Sequence, residues 1–247
     1  MDEPQHTWKA PAAIQRVAAV NAYLSSDFGG GPRAIKLAWV VNAQKAGTFA
    51  WVLLLMALYD RWTLDAWVYL ALHGTYGLVW LIKDLTFPDP NWQRRVTFGA
   101  GFLAFALVLG PYWSFSWLLI SDGARVPAPS WLLCVVVVMH TLGVALMVGA
   151  DAQKFFTLQV RRGLIETGFF SRLRHPRYTG EMLLYASSAV LVGHWFPWLV
   201  LGWVWTLVFL PNMLMKEQSM SRYPQWNAYK ARTGMLLPSL ARSKRDG

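Results

Sequence analysis

The chain has 247 residues, 55% of them hydrophobic and only 15% charged, against roughly one quarter charged in a soluble domain. That deficit excludes an ordinary water-soluble enzyme and points to lipid as the solvent. The net charge of +10 raises nucleic acid as a partner, but the cations lie between apolar runs, where the positive-inside rule accounts for them, so no nucleic acid is expected.

Residues 1–35 read as a polar cytosolic segment. It carries Asp2 and Glu3 near its start and lacks the apolar core of a signal peptide, so the first apolar run is expected to direct insertion. A bilayer span needs about 20 apolar residues. About six runs meet or approach this: Leu37 to Tyr59, Leu64 to Ile82, Val96 to Ile120, Ser130 to Gly149, Met182 to Phe196 and Trp198 to Met215. The last two form a tight hairpin around Phe196-Pro197. Of the 15 tryptophans, Trp62, Trp67, Trp92, Trp131, Trp195 and Trp198 stand at run ends, where rings anchor at a bilayer interface. The single cysteine, Cys134, excludes an internal disulfide and a cysteine metal site; it reads as a small core residue, and no metal is expected.

Charge sets the orientation. Lys83, Arg94 and Arg95 follow the second run, Lys154 to Arg177 follow the fourth, and Lys216 to Arg245 follow the sixth. The opposite loops carry Arg61, Arg125 and no cation at Phe196-Pro197. Both termini are therefore expected in the cytosol: a multi-pass protein of the endoplasmic reticulum if eukaryotic, of the inner membrane if bacterial.

Within the runs, polar groups stand out. Asn42, Gln44 and Lys45 lie in the first, and a membrane lysine costs a few kcal/mol unless it is paired or reaches water; Lys45 either faces a site or snorkels to the interface. His73 and Tyr76, three apart in the second run, share a helical face and can each donate a proton; the alternative is helix–helix hydrogen bonding. His140 receives no role.

The densest polar stretch is ADAQK (150–154), GLIETG (163–168) and RHPRYTGE (174–181), closed by Asn212, Lys216-Glu217, Arg222-Tyr223 and Tyr229-Lys230-Ala231-Arg232. Three basic clusters at the mouths of three helices suit an anionic group such as the phosphates of a dinucleotide, with the glutamate and tyrosines against ribose or adenine. No GxGxxG occurs, so a Rossmann domain is excluded.

The segment ADAQKFFTLQVRRGLIETGFFSRLRHPRYTGEMLLY, with YPQWNAYKARTGMLLP near the end, resembles the C-terminal domain of the steroid 5α-reductase-like membrane enzymes, a superfamily that includes sterol reductases. The matching positions are Asp151 with Lys154, Thr167-Gly168-Phe169, Arg174 to Glu181, and Tyr229 with Arg232 before Pro238. The box also resembles that of isoprenylcysteine and phospholipid methyltransferases, which bind S-adenosylmethionine; their paired glutamates are met here by Lys216-Glu217-Gln218, with one. The steroid reductases' catalytic glutamate is absent, Gln44 and Lys45 standing in that run, and Arg177 occupies a position where asparagine is usual.

The resemblance implies an all-α polytopic membrane bundle of about six transmembrane helices with cytosolic loops forming a cofactor pocket. Its parts are residues 1–35, a substrate-side membrane region 36–149, a cofactor region 150–240 and a basic tail 241–247. It implies an NADPH-dependent oxidoreductase of lipid or steroid metabolism, acting on the activated C=C bond of a lipophilic substrate that enters from the bilayer, or alternatively an S-adenosylmethionine-dependent methyltransferase. On the first reading Lys154, Arg174, Arg177 and Arg232 hold phosphates. Asp151, Glu181, Asn212 and Tyr229 fix sugar and amide groups, and His175 and Tyr178 position the reactive ring. Tyr76, helped by His73 or Lys45, delivers the proton.

Overall fold

The computed structural model describes residues 7–122 and 126–239; Arg125 and the tail 241–247 lie outside them. A short helix α1 (Ala12–Leu24) precedes α2 (Leu37–Leu58). One continuous rod then runs through α3 (Leu64–Tyr69), a π-helical turn at Leu70–Gly74 and α4 (Thr75–Thr86). After the single turn α5 (Pro90–Gln93), a second rod comprises α6 (Phe98–Ala104), a π turn at Phe105–Leu109, a 3₁₀ turn at Gly110–Tyr112 and α7 (Trp113–Ser121). The long α8 (Ser130–Val160) and α9 (Pro176–Val192) follow. A third composite rod contains α10 (Trp195–Val204), a π turn at Trp205–Phe209 and α11 (Leu210–Met220), and α12 (Trp226–Arg232) closes the chain. Strands β1 (Ile35–Lys36) and β2 (Arg95–Val96) pair antiparallel and tie the start of α2 to that of α6.

Four helices are long and apolar enough to cross a bilayer: Leu37–Leu58, Phe98–Ser121, Ser130–Val160 and Trp195–Met220. The burial pattern is that of a lipid-solvated bundle. Val52, Phe115, Met147, Leu184 and Leu201 are buried, while Leu58, Leu78, Phe102, Leu142 and Leu199 project outward as an apolar exterior, a surface that water tolerates only in small patches.

Several boundaries differ from the sequence reading. At about 1.5 Å per residue the 31-residue α8 is longer than the hydrocarbon layer, because Asp151 is ion-paired to Lys83 and Arg177 and helix continues past the apolar run. The last hairpin turns at Gly193-His194, not at Phe196-Pro197. Gly193 takes the left-handed conformation (φ 63°) that ends α9, and the His194 side chain caps α10 by accepting from the Phe196 amide. Pro197 then falls in the first turn of α10, where no amide donor is needed. Cys134 is exposed on the outer face of α8 rather than in the core. Trp62, Trp67, Trp131, Trp195 and Trp198 are exposed as expected, but Trp92 is partly buried and packs on Trp80, with ring centroids 6.4 Å apart.

Two glycine contacts set the packing. Gly143 of α8 and Gly180 of α9 meet backbone to backbone: a Cβ at Gly143 would lie 2.7 Å from both the Gly180 carbonyl oxygen and the Leu184 nitrogen. This brings the α8 and α9 backbones together beneath the polar end of the bundle.

Candidate functional site

At the end of the bundle where α4, α8 and α11 finish and α9 begins lies a cavity of about 460 Å³, within the usual range of small-molecule sites. Its wall includes Asp151, Lys154, Arg174, His175, Arg177, Tyr178 and Tyr229, seven of the ten residues expected to bind a cofactor. The other three lie elsewhere. Glu181 is one turn deeper on α9, 3.8 Å from Arg177. Arg232 sits outside the wall, ion-paired to Glu166. Asn212 is exposed on α11, one turn before Lys216 of the wall.

The loop before α9 is held by the chain's C-terminal segment. The Arg174 and His175 amides donate to the Gly234 and Met235 carbonyls (2.9 and 3.2 Å), and the Gly234 amide donates to the Arg172 carbonyl at 3.0 Å. Pro176 occupies the first position of α9, where its missing donor costs nothing. On the facing helix, Gln153 accepts from the Phe169 amide (2.9 Å) and donates to the Thr167 carbonyl (2.8 Å). Gly168 there has φ 60°, so the TG turn is pinned to α8.

Two arginines of the box are already satisfied. Arg174 Nε binds Glu217 Oε1 at 2.6 Å, its guanidinium donates to the Thr233 carbonyl, and His175 Nε2 lies 3.5 Å from the same carboxylate. Burial chiefly lowers the His175 pKa, with Glu217 pulling the other way. Arg177 is a hub: Asp89 at 3.3 Å, Asp151 at 3.4 Å and Glu181 at 3.8 Å surround it. Burial alone would raise the Asp89 carboxyl, but Arg177 and the Asn91 amide outweigh it and hold it below its ordinary value. Asp89 escaped the sequence reading, and Glu217 stood in it only as part of the closing polar stretch, without Arg174 as its partner. Asp89 looks like a turn residue in Phe-Pro-Asp-Pro, and its partner is 88 positions away.

The free charge belongs to other cations. Lys154, Arg162, Lys216 and Arg222 line the cavity, and among the described residues none lies within ion-pairing distance of a carboxylate. Lys216 Nζ instead donates to the Tyr178 hydroxyl at 3.3 Å. Tyr178, Tyr223, Tyr229 and Phe170 add ring surface to the wall. A second cavity of about 330 Å³ adjoins along Asp151, Lys154 and Leu158.

Deeper in the bundle, the structure brings Lys45, His73 and Tyr76 together. Lys45 is 4% exposed, which rules out the snorkelling alternative. Its ammonium donates to the Tyr185 hydroxyl and lies 4.6 Å from the Tyr76 ring centroid. His73 sits in the π turn, not on a regular α-helical face. Its ring is 6.1 Å from that of Tyr76, and its Nδ1 is 3.4 Å from Ser188 Oγ. The Tyr76 hydroxyl reaches Met147 Sδ at 3.6 Å. His140 pairs with Ser187 at 3.4 Å. Arg177, Glu181, Tyr185 and Ser188 recur along one face of α9 and lead from the cavity to this cluster.

The chain belongs to the family described as a protein of unknown function (DUF1295), whose model matches residues 25–233. An uncharacterized protein of Schizosaccharomyces pombe is 42% identical over 41 residues, a stretch covering 17% of this chain and 15% of that relative. No solved structure matches the chain.

Proposed function

We propose that this member of the family is a membrane-embedded reductase that uses NADPH to reduce the activated C=C bond of a lipophilic substrate. The observation that carries the reading is the set of four cations, Lys154, Arg162, Lys216 and Arg222, without a carboxylate partner among the described residues, around one cavity with aromatic walls. Charged donors without carboxylate partners fit phosphate groups. S-adenosylmethionine, with one carboxylate beside its sulfonium and ammonium, offers these four cations fewer anionic groups than a dinucleotide phosphate does.

On this reading the bundle spans the membrane six times. The rod from Leu64 to Thr86 and the 17-residue α9 join the four longer apolar helices, and the basic end with both termini faces the cytosol. Lys154, Arg162, Lys216 and Arg222 hold the phosphates, while Arg174 and Arg177, neutralised by Glu217, Asp89 and Asp151, keep the walls in place. Tyr178 and Tyr229 offer faces and hydroxyls to the rings and sugars. When bound, NADPH supplies the hydride. The deeper cluster at Lys45, His73 and Tyr76 is screened from water and supplies the proton to the substrate.

The test is a thermal-shift titration of the detergent-solubilised protein with NADPH, NADH, S-adenosylmethionine and S-adenosylhomocysteine. Stabilisation by NADPH, lost in Lys216→Met, is the expected result. Stabilisation by S-adenosylmethionine or its product alone refutes the reductase reading in favour of methyl transfer.

A further inference from the structure

We infer that Tyr185, its oxygen held by Lys45, is the group that delivers the proton in this reduction, to a lipophilic substrate whose C=C bond is conjugated to a carbonyl. The inference rests on the reductase reading above and changes the donor from Tyr76 to a residue of α9. Both tyrosines are buried in the same cluster with their hydroxyls in contact, but the further partners of the two hydroxyls differ. Tyr76 reaches a thioether sulfur, a weak acceptor. Tyr185 accepts from the Lys45 ammonium, so a positive donor already stands at the atom where negative charge forms when the proton leaves, the arrangement that lowers a barrier most.

The ring is also fixed. Tyr112 stacks on Tyr185 with centroids 4.0 Å apart and planes inclined by 19°, and His73 and Tyr76 abut it at 5.6 and 6.0 Å. Among the described residues Lys45 has no carboxylate within ion-pairing distance, and a membrane lysine spent on a phenol oxygen is a functional arrangement by default. A place for substrate polarity is also at hand. His73, its ring 5.6 Å from that of Tyr185, has its Nε2 buried without a hydrogen-bond partner. Buried polar atoms are normally satisfied, so the cluster lacks the partner that a carbonyl oxygen supplies. Tyr185 lies seven residues beyond Tyr178 of the cavity wall, about 10 Å along α9.

A hydride leaves NADPH, which is oxidised to NADP⁺, and forms a C–H bond at the β-carbon. The C=C electron pair shifts to the α-carbon and the carbonyl oxygen. The α-carbon then takes the Tyr185 proton, the O–H pair remaining on the phenolate. Lys45 returns a proton to that oxygen and is reprotonated from solvent after the product has left.

The experiment uses the full chain in nanodiscs with NADPH and two probes, 4-cholesten-3-one and trans-2-hexadecenal, following single-turnover NADPH oxidation against pH. Removal of a general acid slows the step by about 100-fold or more. Tyr185→Phe is therefore expected to lose that much while NADPH binding is unchanged. Lys45→Met should lose turnover similarly and displace the pH profile, and Tyr76→Phe should lose less than Tyr185→Phe. Should Tyr185→Phe not fold, Lys45→Met on a different helix carries the test. Turnover retained in Tyr185→Phe, a loss confined to Tyr76→Phe, or bound NADPH with neither probe reduced overturns the inference. Absence of NADPH binding overturns the reading beneath it.

Discussion

Replacing Gly143 by alanine tests the packing that shapes the cavity. The new methyl group would lie 2.7 Å from the Gly180 carbonyl oxygen, 2.7 Å from the Leu184 nitrogen and 2.9 Å from Leu184 Cβ, whereas ordinary contact begins at 3.4 Å. Two of the three obstacles are backbone, so no side chain can rotate away. The α8 and α9 backbones must part by about 0.7 Å, the gap between those distances. Overpacking of this kind costs about 1–3 kcal/mol, and the separation also pulls Asp151 of α8 from Arg177 of α9. Gly202 is the internal control: it lies within α10, and an added Cβ there meets nothing within 4 Å. Alanine at Gly202 should be neutral or gain up to about 1 kcal/mol of helix propensity. In thermal unfolding of the detergent-solubilised protein, Gly143→Ala should lower Tm by roughly 2–4 °C per kcal/mol, while Gly202→Ala holds or raises it. Equal tolerance at the two sites would refute the close crossing.

Other perturbations have definite signs. Arg177→Asn leaves Asp89, Asp151 and Glu181 facing one another without their common cation, and unfolding should show a loss of about 3–5 kcal/mol, the cost of breaking a buried pair. Glu217→Gln removes the carboxylate shared by Arg174 and His175. It should lower Tm, and Glu217→Asp should recover less than half of that loss because its shorter arm cannot span the 2.6 Å contact unmoved. His175 has a lowered pKa in the fold, so the unfolded chain binds its proton more readily. Its contribution is therefore complete above about pH 6.5 and is lost as the pH falls below that value toward the lowered folded one. Tm measured between about pH 7 and 5 should decline, with a flatter slope in His175→Asn; an unchanged slope contradicts the assignment. Asp89, with a lowered carboxyl pKa, contributes a separate decline only at more acid pH.

The apolar runs were legible because hydropathy reports solvent directly: those near Leu37 and Val96 became helices within a few residues of the expected bounds, while the one at Ser130 began as expected and ran on to Val160 rather than Gly149. The box from Arg174 to Glu181 was legible as a polar concentration, and most of it does line one cavity. The allocation of charge was not. Whether Arg174 and Arg177 are free depends on Glu217 and Asp89, residues 43 and 88 positions away, and no spacing rule links them. Tyr185 reads as one more aromatic in an apolar run until Lys45 of α2 is seen against it. Three π turns among the described residues each add a residue to a helical turn, so a face counted from one end of a rod does not carry to the other.

On the reductase reading Lys154, Arg162, Lys216 and Arg222 form a site for a polyanionic dinucleotide. The most direct measurement is equilibrium binding of NADPH to the full chain in nanodiscs, compared with the Lys216→Met/Arg222→Ala double variant. Each lost charge–phosphate contact is worth about tenfold at roughly 1.4 kcal/mol, so the account predicts NADPH binding that the double variant weakens by about 100-fold. NADPH that does not bind the parent chain, or that binds both proteins equally, contradicts it.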